Sequence, residues 1–445
     1  MEKTNSKKLK LFDLISIGVG SVIGAGIFSM LCTGIAITGR SIGLALVVAM
    51  ALTIMQQVRS IFMSSMFALD GGMYAQQALI LPQIFTGTTV ICFLFSNFSF
   101  SVFGIAIADY LAQLLPALIP FKTVIAFLVL TAFFLVSVRG TGFLAKVQNI
   151  MALCMYGALI MFLIFGLIKG GTPEAQATPY FAGGTMNFFM AVAMMSFTCT
   201  GATNLINLSA DTENPKRDVP LAVLLSATIC AVIYFMLGYI SSNVVPFDQA
   251  ATATLGSVAQ QIMPKGFYVF FVIGGAIFAL ATSLLGGIAA ISAPIVSGAE
   301  DGWLPKVFAK RSKTGYPYVV MLLMYLVAVI PAMFNFSLDT IVSFILVPGM
   351  IVNFIACWLS FNLPKKYPEA WKNCNLRCPY WVYCVLLVIS MAASLLTAVF
   401  SMLGLDMVGI VGNVVLTIFL FGYSYFRIKT GKVELNSIKS VKNEK

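Results

Sequence analysis

Long apolar segments follow one another along almost the whole chain, and they restrict the folds that it can adopt. Most of them reach the roughly 20 residues that an α-helix needs to cross a bilayer. Only 10% of the residues are charged, whereas an ordinary soluble domain has about 25%. We therefore predict an all-α membrane protein with twelve transmembrane helices, at residues 11–38, 41–67, 84–113, 121–138, 147–168, 187–210, 219–244, 266–298, 317–334, 338–361, 380–402 and 405–426.

The positions of Lys and Arg support this count, because these residues collect in cytoplasmic loops. If the N-terminus is cytoplasmic, twelve spans place 23 of the 27 Lys and Arg residues on the cytoplasmic side. The sequence thus predicts two cytoplasmic tails, 1–10 and 427–445, on a protein of the plasma membrane (the inner cell membrane). The net charge of +11 then reflects orientation and not nucleic-acid binding, because the basic residues are spread over many short segments.

The second span is the least regular, because Gln56, Gln57 and Arg59 interrupt its apolar run. An eleven-span count, which would place the C-terminus outside, is the alternative. Nearly all the acidic residues fall in loops or at span ends, and Arg59 is the one basic residue whose position within the membrane is open. We therefore expect the interior to bind its ligand through backbone dipoles and hydroxyl groups.

Two of the predicted spans contain residues that interrupt a helix. In the first span, four glycines fall among the nine residues from Gly18 to Gly26, and each costs about 1 kcal/mol relative to alanine in a helix. In the sixth span, Gly201 follows Thr198 and Thr200. A lone glycine more often allows close helix packing, but interrupted segments at corresponding positions of two halves indicate a transport site.

The chemistry of such breaks indicates the ligand. A half-helix that begins after a break offers free N–H groups and a partial positive charge, which favour a carboxylate. A half-helix that ends at a break offers unpaired carbonyl groups, which favour an ammonium group. An α-amino acid carries both groups within a few ångströms, so the two breaks predict an amino acid site.

Other polar residues within the spans leave alternatives open. Asn97 and Ser101 are four residues apart and share a helix face, where they bond a neighbouring helix or line a pocket. Thr282 and Ser283 serve packing or, as the minority interpretation, offer a hydroxyl pair to a sodium ion. With nine cysteines but no histidine, we expect no metal site and no cofactor, and the absence of an intramembrane acid pair argues against an enzyme.

Five motifs in chain order resemble those of the amino acid–polyamine–organocation transporter superfamily. They correspond to its glycine-rich turn in span one, its Gly-Gly-Ser-Tyr stretch before span three, the entry to span five, its Asn-Pro-Lys-Arg-x-x-Pro loop after span six and its Asp-Gly-x-Pro-like loop after span eight. In this chain they are Gly18–Phe28, Asp70–Tyr74, Lys146–Asn149, Glu213–Pro220 and Ala299–Pro305.

The resemblance implies the leucine-transporter fold. It predicts two inverted five-helix repeats, at 11–168 and 187–361, followed by two peripheral helices at 380–426. It also places the carboxylate-binding turn on Gly24, Ala25 and Gly26, and the amine-binding carbonyls on Val22, Phe197 and Thr200. Ile23 and Gly201 complete the two unwound stretches, Phe197 is the aromatic gate over the substrate, and Ser96, Asn97 and Ser101 flank the side-chain pocket.

Three positions depart from the family pattern. Ala25 stands where the family usually has Ser, Thr203 where many members have Glu, and Met155 where proton-coupled members have Lys. The first removes a hydroxyl contact to the carboxylate, and the other two favour exchange or facilitated uptake over proton symport. Because no acid is available to neutralise it, a purely cationic substrate is also disfavoured.

We therefore predict a transporter of neutral or small amino acids that works by alternating access. One alternative is an amine or polyamine antiporter of the same fold. Another, of a different class, is a ligand sensor or channel-like protein that does not transport. The partners expected are an amino acid or amine and the lipid bilayer, and a monomer and a homodimer are both compatible with the sequence.

Overall fold

The computed structural model describes residues 8–69, 71–137, 141–312, 317–334, 336–435 and 438. It describes the side chains of all of these except residues 25, 141–149, 289, 338 and 339. Asp70, at the start of the second motif, and the side chains of Lys146 to Asn149, the third motif, therefore lie outside the described part. The regular secondary structure of that part is helical throughout, apart from one isolated β-bridge between Leu9 and Thr212.

Apart from two 3₁₀ helices, Gly39–Ser41 and Pro116–Phe121, nine α-helices make up the described first part of the chain. They are α1 (Leu11–Val22), α2 (Ala25–Thr38), α3 (Ile42–Gln56), α4 (Val58–Met66), α5 (Gly72–Ile80), α6 (Gln83–Phe95), α7 (Phe98–Leu114), α8 (Lys122–Ser137) and α9 (Thr141–Lys169).

The second part begins with short helix α10 (Pro173–Gln176), and contains one 3₁₀ segment and one π-helical segment within its spans. Its elements are α11 (Gly184–Thr198), the 3₁₀ segment Ala202–Asp211, α12 (Pro215–Val244), α13 (Leu255–Ile262), α14 (Lys265–Phe270), the π segment Phe271–Ile277, α15 (Phe278–Glu300), α16 (Tyr318–Met333) and α17 (Leu338–Ser360). The last four helices are α18 (Leu363–Lys366), α19 (Pro368–Lys372), α20 (Tyr380–Leu403) and α21 (Met407–Lys429).

Ten helical stretches of the described residues are long and apolar enough to cross a membrane, and two shorter apolar helices, α1 and α16, accompany them. Helices α8, α20 and α21 expose large apolar side chains, among them Leu128, Leu395 and Ile418. A soluble monomer rarely exposes so much apolar surface. These observations confirm an all-helical, multi-pass membrane protein.

Both predicted breaks are confirmed. In the first span α1 ends at Val22 and α2 begins at Ala25, and in the sixth α11 ends at Thr198 before the 3₁₀ segment begins at Ala202. Helix α12 packs against α1 and against the 3₁₀ segment, while α11 packs against α2. The two broken spans are thus neighbours within the largest cluster of buried apolar residues.

The structure adds two interruptions, of which only the first coincides with an irregularity in the apolar pattern. One lies at Gln57, between α3 and α4, and the other at Ser96 and Asn97, between α6 and α7. The Ser96 hydroxyl donates to the Phe93 carbonyl at 2.7 Å, and the Asn97 amide donates to the Leu94 carbonyl at 2.7 Å. Such local side-chain bonds to the backbone compete with the helical ladder, so the helix is interrupted at this polar pair.

Candidate binding site between two interrupted helices

The first break leaves several carbonyl groups without a helical partner. The Ile23 N–H still donates to the Val19 carbonyl at 3.0 Å, but the helix does not continue beyond it. The Ser283 hydroxyl of α15 lies 3.0 Å from the Gly20 carbonyl oxygen and 3.1 Å from that of Ile23. Ser283 therefore supplies the break with a donor from a distant helix, a role beyond the packing that the sequence favours.

On the other side of this break, α2 starts at Ala25. The N–H groups in the first turn of a helix have no acceptor within that helix, and they carry its positive dipole end. Gly24 and Gly26 are buried at this turn. The turn therefore has the donors that the resemblance assigns to a carboxylate.

The second break is centred on Gly201, whose φ of +114° lies in the region that favours glycine. Just before it, the Thr200 hydroxyl donates to the Phe197 carbonyl at 2.7 Å. The same carbonyl also accepts from the Thr200 N–H at 3.2 Å. The backbone then leaves the α-helix and continues as the 3₁₀ segment.

The two breaks contact each other through their backbones. A Cβ atom added to Gly201 would lie 2.8 Å from the Ser21 carbonyl carbon and 3.0 Å from the Val22 nitrogen. A Cβ atom added to Gly26 would lie 2.5 Å from Cα of Thr198. Glycine at both positions is what allows the first and sixth spans to approach this closely.

Tyr234 of α12 connects the two breaks, and the sequence reasoning missed it. Its buried hydroxyl lies 2.7 Å from the Val22 carbonyl oxygen and 3.2 Å from that of Thr198. One donor thus serves a carbonyl group from each broken span. The available signal was a tyrosine in an apolar span, because a buried phenol hydroxyl needs a partner.

We predict that Tyr234→Phe destabilises the protein and slows transport. Removing the hydroxyl leaves a buried carbonyl group unsatisfied, at a cost of about 1–3 kcal/mol. We expect a lower thermal unfolding midpoint, and a lower transport rate per folded molecule because the two broken spans lose their shared donor. Tyr239→Phe, at a half-exposed tyrosine of the same helix, is the control. Equal behaviour of the two variants would show that Tyr234 does not hold the breaks together.

A cavity of about 260 Å³ lies against the two breaks. This volume is just below the usual range of ligand pockets, roughly 300–1,000 Å³, and suits a small molecule. Four of the predicted site residues line it, namely Ser96, Phe197, Thr200 and Gly201. Ser21, next to the first break, and Ser283, which bonds to that break, line the same cavity. The rest of the lining includes Phe93, Phe100, Phe103, Thr203, Asn204, Ile291, Ile345, Met350 and Asn353.

The other predicted site residues are not on the described lining of this cavity. Val22, Ile23, Gly24 and Gly26 are buried immediately behind Ser21, and the side chain of Ala25 lies outside the described part. Of the residues at or bonded to the first break, Ser21 and Ser283 are the ones on the described lining.

Asn97 and Ser101 are also placed elsewhere. The Asn97 amide nitrogen bonds the Phe93 and Leu94 carbonyls of its own span, and the Ser101 hydroxyl donates to the Ala328 carbonyl of α16. Both side chains are fully buried. Of the three residues expected to flank the side-chain pocket, this cavity therefore includes Ser96 alone.

Arg59 corrects the charge assignment. The count of basic residues placed it in a cytoplasmic segment, but it lies in α4, is only 1% exposed and lines the cavity. The expectation that the interior uses only backbone dipoles and hydroxyl groups is therefore wrong in this respect. Orientation does not depend on this residue, because the remaining basic residues keep the same strong asymmetry.

Comparison with known proteins gives a consistent assignment. The family model described as amino acid permease matches residues 9–430. Cationic amino acid transporter 5 of Arabidopsis thaliana is 26% identical over 367 residues, which cover 77% of this chain and 63% of the relative. The chain thus spans less than two thirds of that relative's length.

The matches to two bacterial relatives cover similar shares of this chain and of the relative. The methylthioribose transporter of Bacillus subtilis is 23% identical over 333 residues, or 69% of this chain and 70% of the relative. The branched-chain amino acid permease BcaP of the same organism is 22% identical over 341 residues, or 72% of each chain. The family and these relatives are transporters and not enzymes. Because the family model covers nearly the whole chain, the protein belongs to the amino acid permease family of membrane transporters.

Proposed function

We propose that this permease moves small α-amino acids of no net charge across the plasma membrane by alternating access. The observation that carries the proposal is the backbone contact between two interrupted spans beside a cavity, through Gly201 and Ser21. Irregular backbone at membrane depth is tolerated where it is buried in protein or lines a cavity. Such paired breaks are typical of transporter binding sites.

In the proposed complex, the substrate is held mainly by main-chain atoms. Its carboxylate accepts hydrogen bonds from the N–H groups around Gly24, Ala25 and Gly26. Its ammonium group donates to carbonyl oxygens of Val22, Phe197 and Thr200. The Val22 carbonyl already accepts from Tyr234, but a carbonyl oxygen has two lone pairs and can accept a second bond. The Phe197 carbonyl accepts from both the N–H and the hydroxyl of Thr200, so in the proposed complex the ammonium group takes the place of the hydroxyl.

The contacts to the remainder of the substrate follow from the same geometry. Phe197 covers the bound molecule, and Ser96, on the lining of the same cavity, contacts its side chain. Ile23 and Gly201 have no direct contact in this proposal and serve to keep the two stretches unwound. Ser101 links the third span to α16, and Asn97 bonds carbonyl groups of its own span.

We further propose the twelve-span arrangement that the sequence predicts. All twelve predicted segments are largely helical in the described residues. Helix α16 supplies the ninth segment, and α1, the stretch Gly26–Gln56 and α4 together supply the first two. The proposed repeats are 11–168 and 187–361, with peripheral helices at 380–426. Both tails, 1–10 and 427–445, are proposed to be cytoplasmic because of the distribution of Lys and Arg.

Exchange or facilitated uptake is the proposed mode of transport. Met155 is a buried apolar side chain, and Thr203 lines the cavity where many relatives are expected to carry an acid. None of the described residues that line the cavity has a carboxylate. The cavity therefore has no group that would carry a proton in step with the substrate.

The amine or polyamine antiporter is a weaker candidate. The described lining of the cavity has a cationic side chain, Arg59, and no anionic one. A substrate with a net positive charge would enter against this charge. A sensor or channel without transport activity is disfavoured by the family assignment, because the named relatives are transporters.

Uptake into liposomes tests the proposal. Purified protein would be reconstituted into vesicles loaded with unlabelled leucine, and the entry of labelled leucine and of its decarboxylated analogue, isopentylamine, would be measured. We expect leucine to enter and the amine to be excluded, because only leucine has the carboxylate for the first turn of α2. Entry of the amine at an equal rate would favour the antiporter. If leucine, the amine and every other amino acid tested all failed to enter, the proposed function would be contradicted.

A further inference from the structure

Arg59 is a buried cation without a charged partner in the described residues. Its guanidinium lies 3.0 Å from the Ser60 hydroxyl and 3.7 Å from the Met63 sulfur, and its Nε atom has no hydrogen-bond partner. A thioether sulfur is a weak acceptor. The ion pairs that the described part of the chain forms are Lys122 with Asp109 and Arg311 with Glu300, both away from this site.

Such a residue is unusual in a folded protein. Charged side chains are almost never fully buried unless they are paired, because removing an ion from water is costly. Arginine cannot escape the cost by losing its proton, since its guanidinium stays protonated in proteins. The thiol of Cys357 forms a further hydrogen bond with Arg59, and the phenol of Tyr383 lies near it, but neither is a carboxylate that would balance the charge.

The position of Arg59 indicates where a balancing charge can come from. Among the described residues that line the cavity beside the breaks, Arg59 is the one with a formal charge. Amide side chains, Gln57, Gln77 and Asn353, lie on the same lining, but the Asn353 amide nitrogen already donates to Gln56 and Ser394. The guanidinium is therefore the group of this lining that suits a carboxylate, which it can bind through two parallel hydrogen bonds.

We propose that Arg59 is a specificity-determining residue that binds the side-chain carboxylate of acidic amino acids. The proposal rests on the proposed function, because it places the main-chain groups of the substrate at the two breaks and its side chain in the same cavity. It extends the substrate range from neutral to acidic amino acids. A zwitterion leaves the buried charge of Arg59 uncompensated, whereas glutamate or aspartate neutralises it and a basic amino acid adds to it.

Glutamate and glutamine form a matched pair of test ligands, because they differ in charge and hardly in shape. Binding of each to purified wild-type protein would be measured by calorimetry, with Arg59→Gln as the neutral variant and Arg59→Lys as the charge-conserving control. We expect the wild type to bind glutamate at least tenfold more tightly than glutamine. Arg59→Gln should lose this preference, with the ratio of the two affinities falling close to one, and Arg59→Lys should retain part of it.

Stability provides a second readout that a structural arginine would not give. An uncompensated buried charge destabilises the ligand-free protein, so we expect Arg59→Gln to unfold at a higher temperature than the wild type. We also expect glutamate to raise the unfolding midpoint of the wild type more than that of the variant, because ligands that bind only the folded state stabilise it.

Three results would overturn the inference. The first is equal or weaker binding of glutamate than of glutamine by the wild type. The second is a parallel loss of both ligands in Arg59→Gln. The third is glutamine binding that requires chloride in the wild type but not in Arg59→Gln. This result would show that a halide ion, and not an acidic substrate, balances the charge of Arg59. Transport of neutral amino acids would still stand in all three cases, whereas failure to bind any amino acid would remove the proposed function as well.

Discussion

Gly201→Ala is expected to abolish transport while the protein still inserts into the membrane. Gly201 has a φ of +114°, a conformation that residues with a Cβ atom rarely adopt. The new methyl group would also meet the Ser21 carbonyl group, with its carbon at 2.8 Å, and the Val22 nitrogen at 3.0 Å. These are backbone atoms of the first break, so relief requires the two breaks to separate.

The matched control is Gly422→Ala in α21, where a Cβ atom would have no neighbour within 4 Å. Alanine is the better helix former, so this change should keep full transport and slightly raise stability. Initial uptake rates would be normalised to the amount of folded protein in the vesicles. Uptake by Gly201→Ala at a rate close to that of Gly422→Ala would show that contact between the breaks is not required.

Gly26→Val is expected to have a similarly large effect from the other side of the contact. The first added carbon would lie 2.5 Å from Cα of Thr198 and 2.7 Å from its hydroxyl oxygen. Valine brings two more methyl groups to a site where even alanine does not fit. We expect loss of measurable uptake, with helix content and membrane insertion largely intact because the change lies at the end of a helix.

Gly26→Ala and Gly422→Val complete this comparison. The alanine variant should transport poorly but measurably if Thr198 can move slightly, and Gly422→Val should remain active because its position is exposed. A Gly26→Val protein with normal uptake would contradict the position of the first break. A Gly26→Val protein with little helix content would instead assign Gly26 to folding.

The breaks could be predicted from sequence because their causes are local. Clustered glycines from Gly18 to Gly26 and a glycine among hydroxyl residues at Gly201 weaken a helix wherever they occur. The membrane assignment rests on the same kind of signal, since apolar length can be measured along the chain. The interruption at Ser96 and Asn97 also has a local cause, but an apolar pattern alone does not reveal it.

The rest of the site depends on partners that are distant in sequence. Tyr234 bonds to carbonyl groups of Val22 and Thr198, and no spacing rule connects these three positions. Ser101 has a polar side chain of the kind that lines a pocket, but its hydroxyl bonds to α16. Whether Arg59 lies in a loop or on a cavity wall depends on how α4 packs. The alternation of polar and apolar residues around Arg59 in the sequence does not reveal this packing.

The most direct test of the account is an experimental structure of the protein in lipid with a transported amino acid bound. We predict unwound backbone at Ile23–Gly24 and at Cys199–Gly201, with the amino acid between them. Its carboxylate should lie against the start of α2, and its ammonium group against the carbonyl groups at the end of α11. An amino acid bound elsewhere with both stretches unoccupied, or two continuous helices with no cavity between them, would contradict the account.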